Sequence, residues 1–236
     1  MKTILVYRHP QSEKNRSTRR HDGKEKIMIA GRASDSPLTP TGQSQAKEWL
    51  GGRLSFLLAN GELDAERTVL GASTAKRAWQ ALEIGAGAAG LRGQVKRYED
   101  LEELEEGPWT GGFKDEPLVL PDGTQIPYLH FHQRGLDYDA GGTESLRHGG
   151  QRVIERWREI ASRTPEAGAA VIVGHALVSK VAVRLLTGID TTASQWGFAS
   201  ETRLTVNNRG HWEPEYIALP TDVPCAPVGR AVWHRL

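Results

Sequence analysis

The sequence predicts an α/β fold: a three-layer α/β/α sandwich with a mostly parallel central sheet. Two observations predict it. Short apolar runs that stop abruptly alternate with stretches whose apolar residues recur at helical spacing, which is the pattern of helices packed on a parallel sheet. Three of the runs also break directly into polar residues suited to phosphate chemistry, at the strand ends where open α/β sheets bind ligands. The 236 residues supply ample chain for a substantial core, and no repeat or linker divides them, so residues 1–236 read as a single domain.

The first run, Thr3-Ile4-Leu5-Val6-Tyr7, ends on Arg8-His9-Pro10 and reads as a buried strand rather than a helix. A basic, aperiodic stretch follows at about residues 16–30. It reads either as a solvated loop or as a rim that gathers an anionic substrate. Ser36-Pro37-Leu38-Thr39-Pro40-Thr41-Gly42 is turn chemistry leading into a helix over 43–58, where Ala46, Trp49, Leu50, Leu54, Leu57 and Leu58 recur at helical spacing. Thr68–Ala72 is a second strand that closes on Ser73, and residues 74–84 form a helix with Arg77 in its first turn. A third strand spans Gln94–Tyr98.

The acidic run Glu99–Glu106, by itself, reads as a solvated helix or turn stopped by Gly107-Pro108. Residues 107–143 form a long irregular excursion with short helical pieces, capping the strand ends. A helix follows from Glu144 to about Arg163. Ala169–Gly174 is the clearest buried strand; it ends on His175 and leads into a helix from Leu177 to Leu186, closed by Gly188. Arg203–Asn207 and Glu215–Leu219 alternate as two strands of a hairpin, and the tail from Pro220 reads as irregular.

The 30 Lys and Arg residues nearly balance the 29 Asp and Glu, so no bulk charge draws the chain to nucleic acid or to a membrane surface. No apolar stretch approaches the roughly 20 residues that span a bilayer, and the N-terminal run is too short for a signal peptide. A lone Cys225 fits a reducing compartment. These features favour a cytoplasmic protein. A homodimer is neither indicated nor excluded.

In a parallel sheet the junctions after the first, second and fourth strands share one edge. Arg8, His9, Arg77 and His175 therefore converge despite their distance in sequence. Such a group suits phosphoryl transfer through a covalent phosphohistidine. A neutral imidazole nitrogen attacks phosphorus when its other nitrogen donates a hydrogen bond. Arginine forks hold the non-bridging oxygens without a metal, and a carboxylic acid of raised pKa protonates the leaving oxygen. His130-Phe131-His132 lacks a third ligand at useful spacing and reads as loop packing or substrate contact rather than a metal site. His21, His148, His211 and His234 sit in no motif and read as exposed.

The chain resembles the histidine phosphatase superfamily, phosphoglycerate mutase-like branch. Five blocks carry the resemblance in order: Arg8-His9-Pro10-Gln11-Ser12-Glu13-Lys14-Asn15; Gly31-Arg32 with Asp35–Ala46; Ser73-Thr74-Ala75-Lys76-Arg77-Ala78-Trp79-Gln80; Leu101–Gly111; and Val171–Ala176. The resemblance implies a phosphoglycerate mutase-like fold and a histidine acid phosphatase-type phosphomonoesterase. It makes His9 the phosphorylated nucleophile and Glu103 the proton donor. Arg8, Arg77 and His175 become the phosphate pocket, with Ser12 and Asn15 as further phosphate contacts. It implies no metal and no dissociable cofactor, and as partner a small phosphorylated substrate.

Two other functions fit the same blocks. A mutase of this family carries a longer basic insertion after the acid block, whereas residues 112–143 hold only Lys114 and Arg134. A catalytically silent phosphate-binding or regulatory protein would keep the fold, and the departures from the family pattern bear on it. Pro10 and Ala176 replace glycines, Lys180 replaces an arginine, Gly142-Thr143-Glu144-Ser145 carries one inserted residue, and the stretch between Asn15 and Gly31 is lengthened.

Overall fold

A computed structural model describes residues 1–16, 18–19, 25–26, 28–29, 31–32, 36–130, 133–139, 142–192 and 194–221. In chain order its strands are β1 (Lys2–Arg8), β2 (Thr18–Arg19), β3 (Glu25–Lys26), β4 (Thr68–Ser73), β5 (Lys96–Tyr98), β6 (Leu118–Val119), β7 (Gln125–Ile126), β8 (Ala169–Gly174), β9 (Glu201–Val206) and β10 (Trp212–Leu219). The helices are α1 (Pro40–Gln45), α2 (Gly51–Ala59), α3 (Lys76–Ala88), α4 (Leu146–Arg163) and α5 (Ala176–Thr187).

Six strands form one sheet in the order β10-β9-β1-β8-β4-β5. β1, β8, β4 and β5 pair in parallel, while β9 runs antiparallel to both β1 and β10. The fold is thus α/β with a mostly parallel central sheet, as the alternating pattern predicts. β1 is apolar and buried from Ile4 to Tyr7 because both of its faces are covered there. Ile4 and Val6 point into a core with Trp157, Ile160, Val181 and Val183 from α4 and α5. Leu5 and Tyr7 point into the opposite core, with Leu50, Leu54, Leu82 and Ala86 from the α1–α3 side. The period of two along one strand therefore separates the two helical layers.

Several predicted boundaries move. The helix predicted over 43–58 begins earlier, at Pro40, and a π-helical stretch, Ala46–Leu50, joins α1 to α2. Thr39 caps it: its Oγ1 accepts from the Gly42 N–H at 2.9 Å, and Pro40 fills a first-turn position that needs no donor. A Cβ on Gly42 would stand 1.9 Å from the Gln11 carbonyl oxygen, so only glycine lets the loop after His9 lie on this helix.

The acidic run is not a solvated helix. One 3-10 turn, Glu99–Leu101, gives way to an irregular segment in which Leu101 and Leu104 are buried. The excursion over 107–143 contains the 3-10 turn Gly107–Trp109 and a small β6/β7 hairpin, in addition to irregular chain. Within the basic stretch, β2 and β3 pair as an antiparallel ladder, and Ile29 exchanges backbone hydrogen bonds with Gly111 and Gly112 of the excursion. α4 starts at Leu146, capped by Ser145, and the last two strands of the sheet pair as the predicted hairpin. Asp35, Cys225, His21, His132 and His234 lie outside the described residues, as does the tail beyond Thr221. Among the described residues no helix is long and apolar enough to cross a membrane.

Candidate active site

β1, β8 and β4 lie side by side, with Arg8 level with Gly174 and Ala72 level with Val173. Their carboxyl ends therefore release His9, His175 and the Ser73–Arg77 junction at one edge, and β5 delivers the segment bearing Glu103 beside them.

His9 is buried, and its backbone N–H donates to the Gly174 carbonyl at 3.0 Å, which ties the strand end to β8. Its ring contacts fix the tautomer. Nδ1 lies 2.7 Å from the Pro10 carbonyl oxygen, which only accepts, so Nδ1 carries the proton. Nε2 faces the Nε–H of Arg77 at 3.2 Å, a group that only donates, so Nε2 holds the lone pair. Burial first, then the charges of Arg77 and Arg8, holds the imidazole pKa well below its ordinary 6.5. The ring is neutral at neutral pH, and its Nε2 lone pair accepts from the arginine. Pro10 thus acts through its carbonyl, which proline retains; its missing N–H takes no part in this contact.

His175 mirrors this arrangement. Its Nδ1 faces an Arg77 Nη2 at 3.4 Å and its Nε2 lies 3.0 Å from the Ser73 Oγ, so the proton sits on Nε2. Burial, followed by the Arg77 charge, keeps it neutral as well. The two imidazoles meet edge to face, with centroids 5.1 Å apart. Arg77 is buried between them and addresses both lone pairs.

The Glu103 carboxylate caps the N-terminus of α5. It accepts from the backbone N–H groups of Val178 at 2.9 Å, Leu177 at 3.2 Å and its neighbour Leu104 at 3.1 Å. Burial raises its pKa from the ordinary 4.5, and those three N–H groups and Arg77 oppose the rise. Arg8 donates through Nη1 to the Trp196 carbonyl, and its guanidinium stacks on Phe198, 4.4 Å from the ring centroid. Ser12 is buried, and its hydroxyl donates to Asn15 Oδ1 at 2.7 Å.

A cavity of about 400 Å³ opens here, lined by Arg8, Asn15 and Glu103 together with Lys114, Tyr128 and Phe198. The fold therefore brings Arg8, His9, Arg77, Glu103 and His175 to one place, with Asn15 on the cavity wall and Ser12 bonded to it. Nothing in the sequence marks Ser73 as the partner of His175, although Ser73 opens the block that carries Arg77. Phe198 and Tyr128 have no motif around them and are legible only in the structure. Arg134 forms a buried ion pair with Glu106 at 2.7 Å, and Tyr128 also donates to Glu106 at 3.2 Å. His148 and His211 are exposed, as predicted; His130 stacks edge-on against Tyr128. Among the described residues no group of three His, Cys, Asp or Glu side chains could hold a metal ion.

A model of the histidine phosphatase superfamily (branch 1) matches residues 4–219. The chain belongs to this superfamily. Solved structures share its fold at low identity. The mycobacterial glucosyl-3-phosphoglycerate phosphatase, solved with VO3, superposes with a TM-score of 0.66 at 17% identity, covering 93% of this chain and 100% of that one. Bacillus stearothermophilus YhfR gives 0.67 at 23% identity over 93% and 98% of the two chains. An Entamoeba histolytica phosphoserine phosphatase, solved with phosphoserine, gives 0.60 at 19% identity over 92% and 97%. No curated protein sequence matches the chain significantly. The histidine phosphatase family blocks read in the sequence are thus joined by a match over nearly the whole chain.

Proposed function

We propose that the protein is a phosphomonoester hydrolase acting through a covalent phosphohistidine on His9. The observation that carries this reading is the tautomer of His9. With the proton on Nδ1, held by the Pro10 carbonyl, Nε2 holds the lone pair, which attacks once the bound phosphoryl oxygens take over the Arg77 donor. As Nε2 bonds to phosphorus, the P–O bond to the leaving group breaks and Glu103 gives its proton to that oxygen. The phosphorylated ring gains positive charge, which the Nδ1–H···O=C contact to Pro10 stabilises. Water then attacks phosphorus while the Glu103 carboxylate takes its proton; the N–P bond breaks and inorganic phosphate leaves.

Arg8 and Arg77 hold the non-bridging oxygens, joined by Ser12 and Asn15. His175, neutral and fixed by Ser73, orients the second Arg77 donor through its Nδ1. Each role falls to a side chain of this protein, so the scheme calls on no metal or dissociable cofactor. The substrate class is a small phosphomonoester, and the names of the structural neighbours agree with it.

The test is His9→Ala assayed on alkyl and aryl phosphomonoesters. Turnover should vanish, and so should an acid-labile, base-stable phosphoryl label on the protein. Retained turnover would sink the proposal. Tight vanadate binding by a parent protein that turns over no ester would instead favour a silent phosphate binder. Interconversion of phosphoglycerates with a bisphosphate primer would favour a mutase.

A further inference from the structure

Glu103 stands in a segment without regular structure, and a cluster of charges outside the roles above holds that segment in place. Arg152, on α4, donates through Nη1 to the carbonyls of Asp100 at 2.8 Å and Glu102 at 3.1 Å, and through Nη2 to that of Glu103 at 3.4 Å. Its Nε and Nη2 also form a fork on the two oxygens of Glu144, at 2.9 and 2.8 Å. Arg32 bridges the same partners: its Nε reaches the Glu103 carbonyl at 3.3 Å and its Nη2 the Glu144 carboxylate at 3.0 Å. Glu144 is buried and also binds the loop itself. Its backbone N–H donates to the Glu105 carbonyl at 2.7 Å and its carboxylate accepts from the Glu105 N–H at 3.3 Å. The exposed His148 adds a contact to Glu144 at 3.0 Å.

The result is a clamp on the main chain from Asp100 to Glu105. Leu104 packs closely on the same helix, since a Cβ on Gly149 of α4 would stand 2.2 Å from its Cδ2. With the backbone held at Glu103 and its neighbours, the Glu103 carboxylate has little freedom except to meet the first turn of α5.

We propose that Arg152, Glu144 and Arg32 are positioning residues for the proton donor Glu103. This rests on the hydrolase reading, in which Glu103 is the acid. None of the three meets the reacting atoms. They act through the main chain of Glu103, and their effect appears where protonation of the leaving oxygen limits the rate.

That requirement separates positioning from a general structural role. An alkyl phosphate expels a strongly basic alkoxide and depends on the acid; p-nitrophenyl phosphate expels a stabilised phenolate and depends on it little. For Arg152→Met and Arg32→Met, kcat/KM on glycerol phosphate should fall by about 10²-fold, the scale of an ångström-level misplacement, carried in kcat rather than KM. On p-nitrophenyl phosphate the kcat/KM of the same variants, which reports only the transfer to His9 and not the later water step that Glu103 also serves, should stay within about threefold of the parent. Arg152→Lys, which keeps the charge and is the milder change, should show the same pattern more weakly. In a Glu103→Gln background Arg152→Met should add nothing on the alkyl ester, because the group it positions is already disabled.

Amide hydrogen exchange gives a readout independent of activity. The Leu177 and Val178 N–H groups, which the Glu103 carboxylate protects, should exchange about tenfold faster in Arg152→Met, while Val183 deeper in α5 is unchanged. Equal losses on both esters, or unchanged exchange at Leu177 and Val178, would overturn the proposal. If the parent hydrolyses neither ester, the hydrolase reading falls by itself and the exchange result alone decides whether the clamp holds Glu103.

Discussion

Arg77→Met tests the geometry of the site most directly. Arg77 directs its Nε–H at His9 Nε2 and an Nη2 at His175 Nδ1, 3.2 and 3.4 Å away, so two of its donors meet where a phosphoryl group attached to His9 would lie. Two charge-assisted hydrogen bonds at about 1.5–3 kcal/mol each give roughly 3–6 kcal/mol, or about 10²–10⁴ in kcat/KM. The same substitution changes the imidazoles. After burial, the Arg77 charge is the largest cause holding His9 and His175 below 6.5, so removing it should raise both pKa values, while burial still keeps them under that figure. Arg77→Lys should divide the two effects. Its charge keeps the imidazoles low, but the lost fork keeps activity down. The assay pairs kcat/KM on an alkyl phosphate across pH with an NMR titration of the two imidazoles. An Arg77→Met protein within about threefold of the parent in kcat/KM would refute the placement of Arg77 on the phosphoryl group.

Three further outcomes follow from the same geometry. Because His9 and His175 are held neutral in the folded state, the unfolded chain takes up protons first as pH falls below 6.5. Their contribution to stability is complete above that pH and declines by about 1.4 kcal/mol per pH unit for each ring below it. Glu103, with its raised pKa, acts in the opposite sense, so the cleanest measure is the difference between the parent and His9→Ala in urea unfolding from pH 7 to 5; equal slopes would contradict the buried neutral ring. Pro10→Gly keeps the carbonyl that receives the Nδ1 proton, so turnover should stay within about threefold, while stability drops by about 0.5–1 kcal/mol through the freer unfolded chain. Gly42→Ala gains about 1 kcal/mol of helix propensity but drives a methyl into the Gln11 carbonyl. A net loss of about 2 kcal/mol or more is expected in denaturant unfolding, and a neutral result would deny the close contact.

Strand identity was legible because burial on both faces makes β1, β4 and β8 continuously apolar, and their sharp ends pointed to the edge where the site lies. The site residues were legible for a different reason. His9, Arg77 and His175 each sit within one turn of a strand end, so local position in the chain gives position in space. Glu103 was not, except by resemblance: a run of acidic residues has no period that marks one carboxylate as buried, and Val178 at the α5 N-terminus that receives it lies 75 residues away. Arg53 shows the same blindness. It is charged and sits in the first turn of α2, yet it is buried on Glu201, which also accepts from Tyr7 and Tyr216. Helical periodicity treats such a residue as surface, and only its partner in a distant strand makes it interior. Phe198, stacked on Arg8, lies in the irregular segment between α5 and β9, which carries no periodicity to place it.

The central place of β1 also has a kinetic cost. Its parallel neighbour β8 lies about 165 residues further along, and its other neighbour, β9, later still. During synthesis at about 5–20 residues per second, β1 therefore waits for roughly 10–30 s with both edges unpaired before either partner exists. Closing contacts over such separations makes folding slow relative to helical proteins of similar stability. Recovery of activity after dilution from denaturant should thus track the docking of β1 between β8 and β9, since Arg8 and His9 at its end meet Arg77, Glu103 and His175 only with that closure.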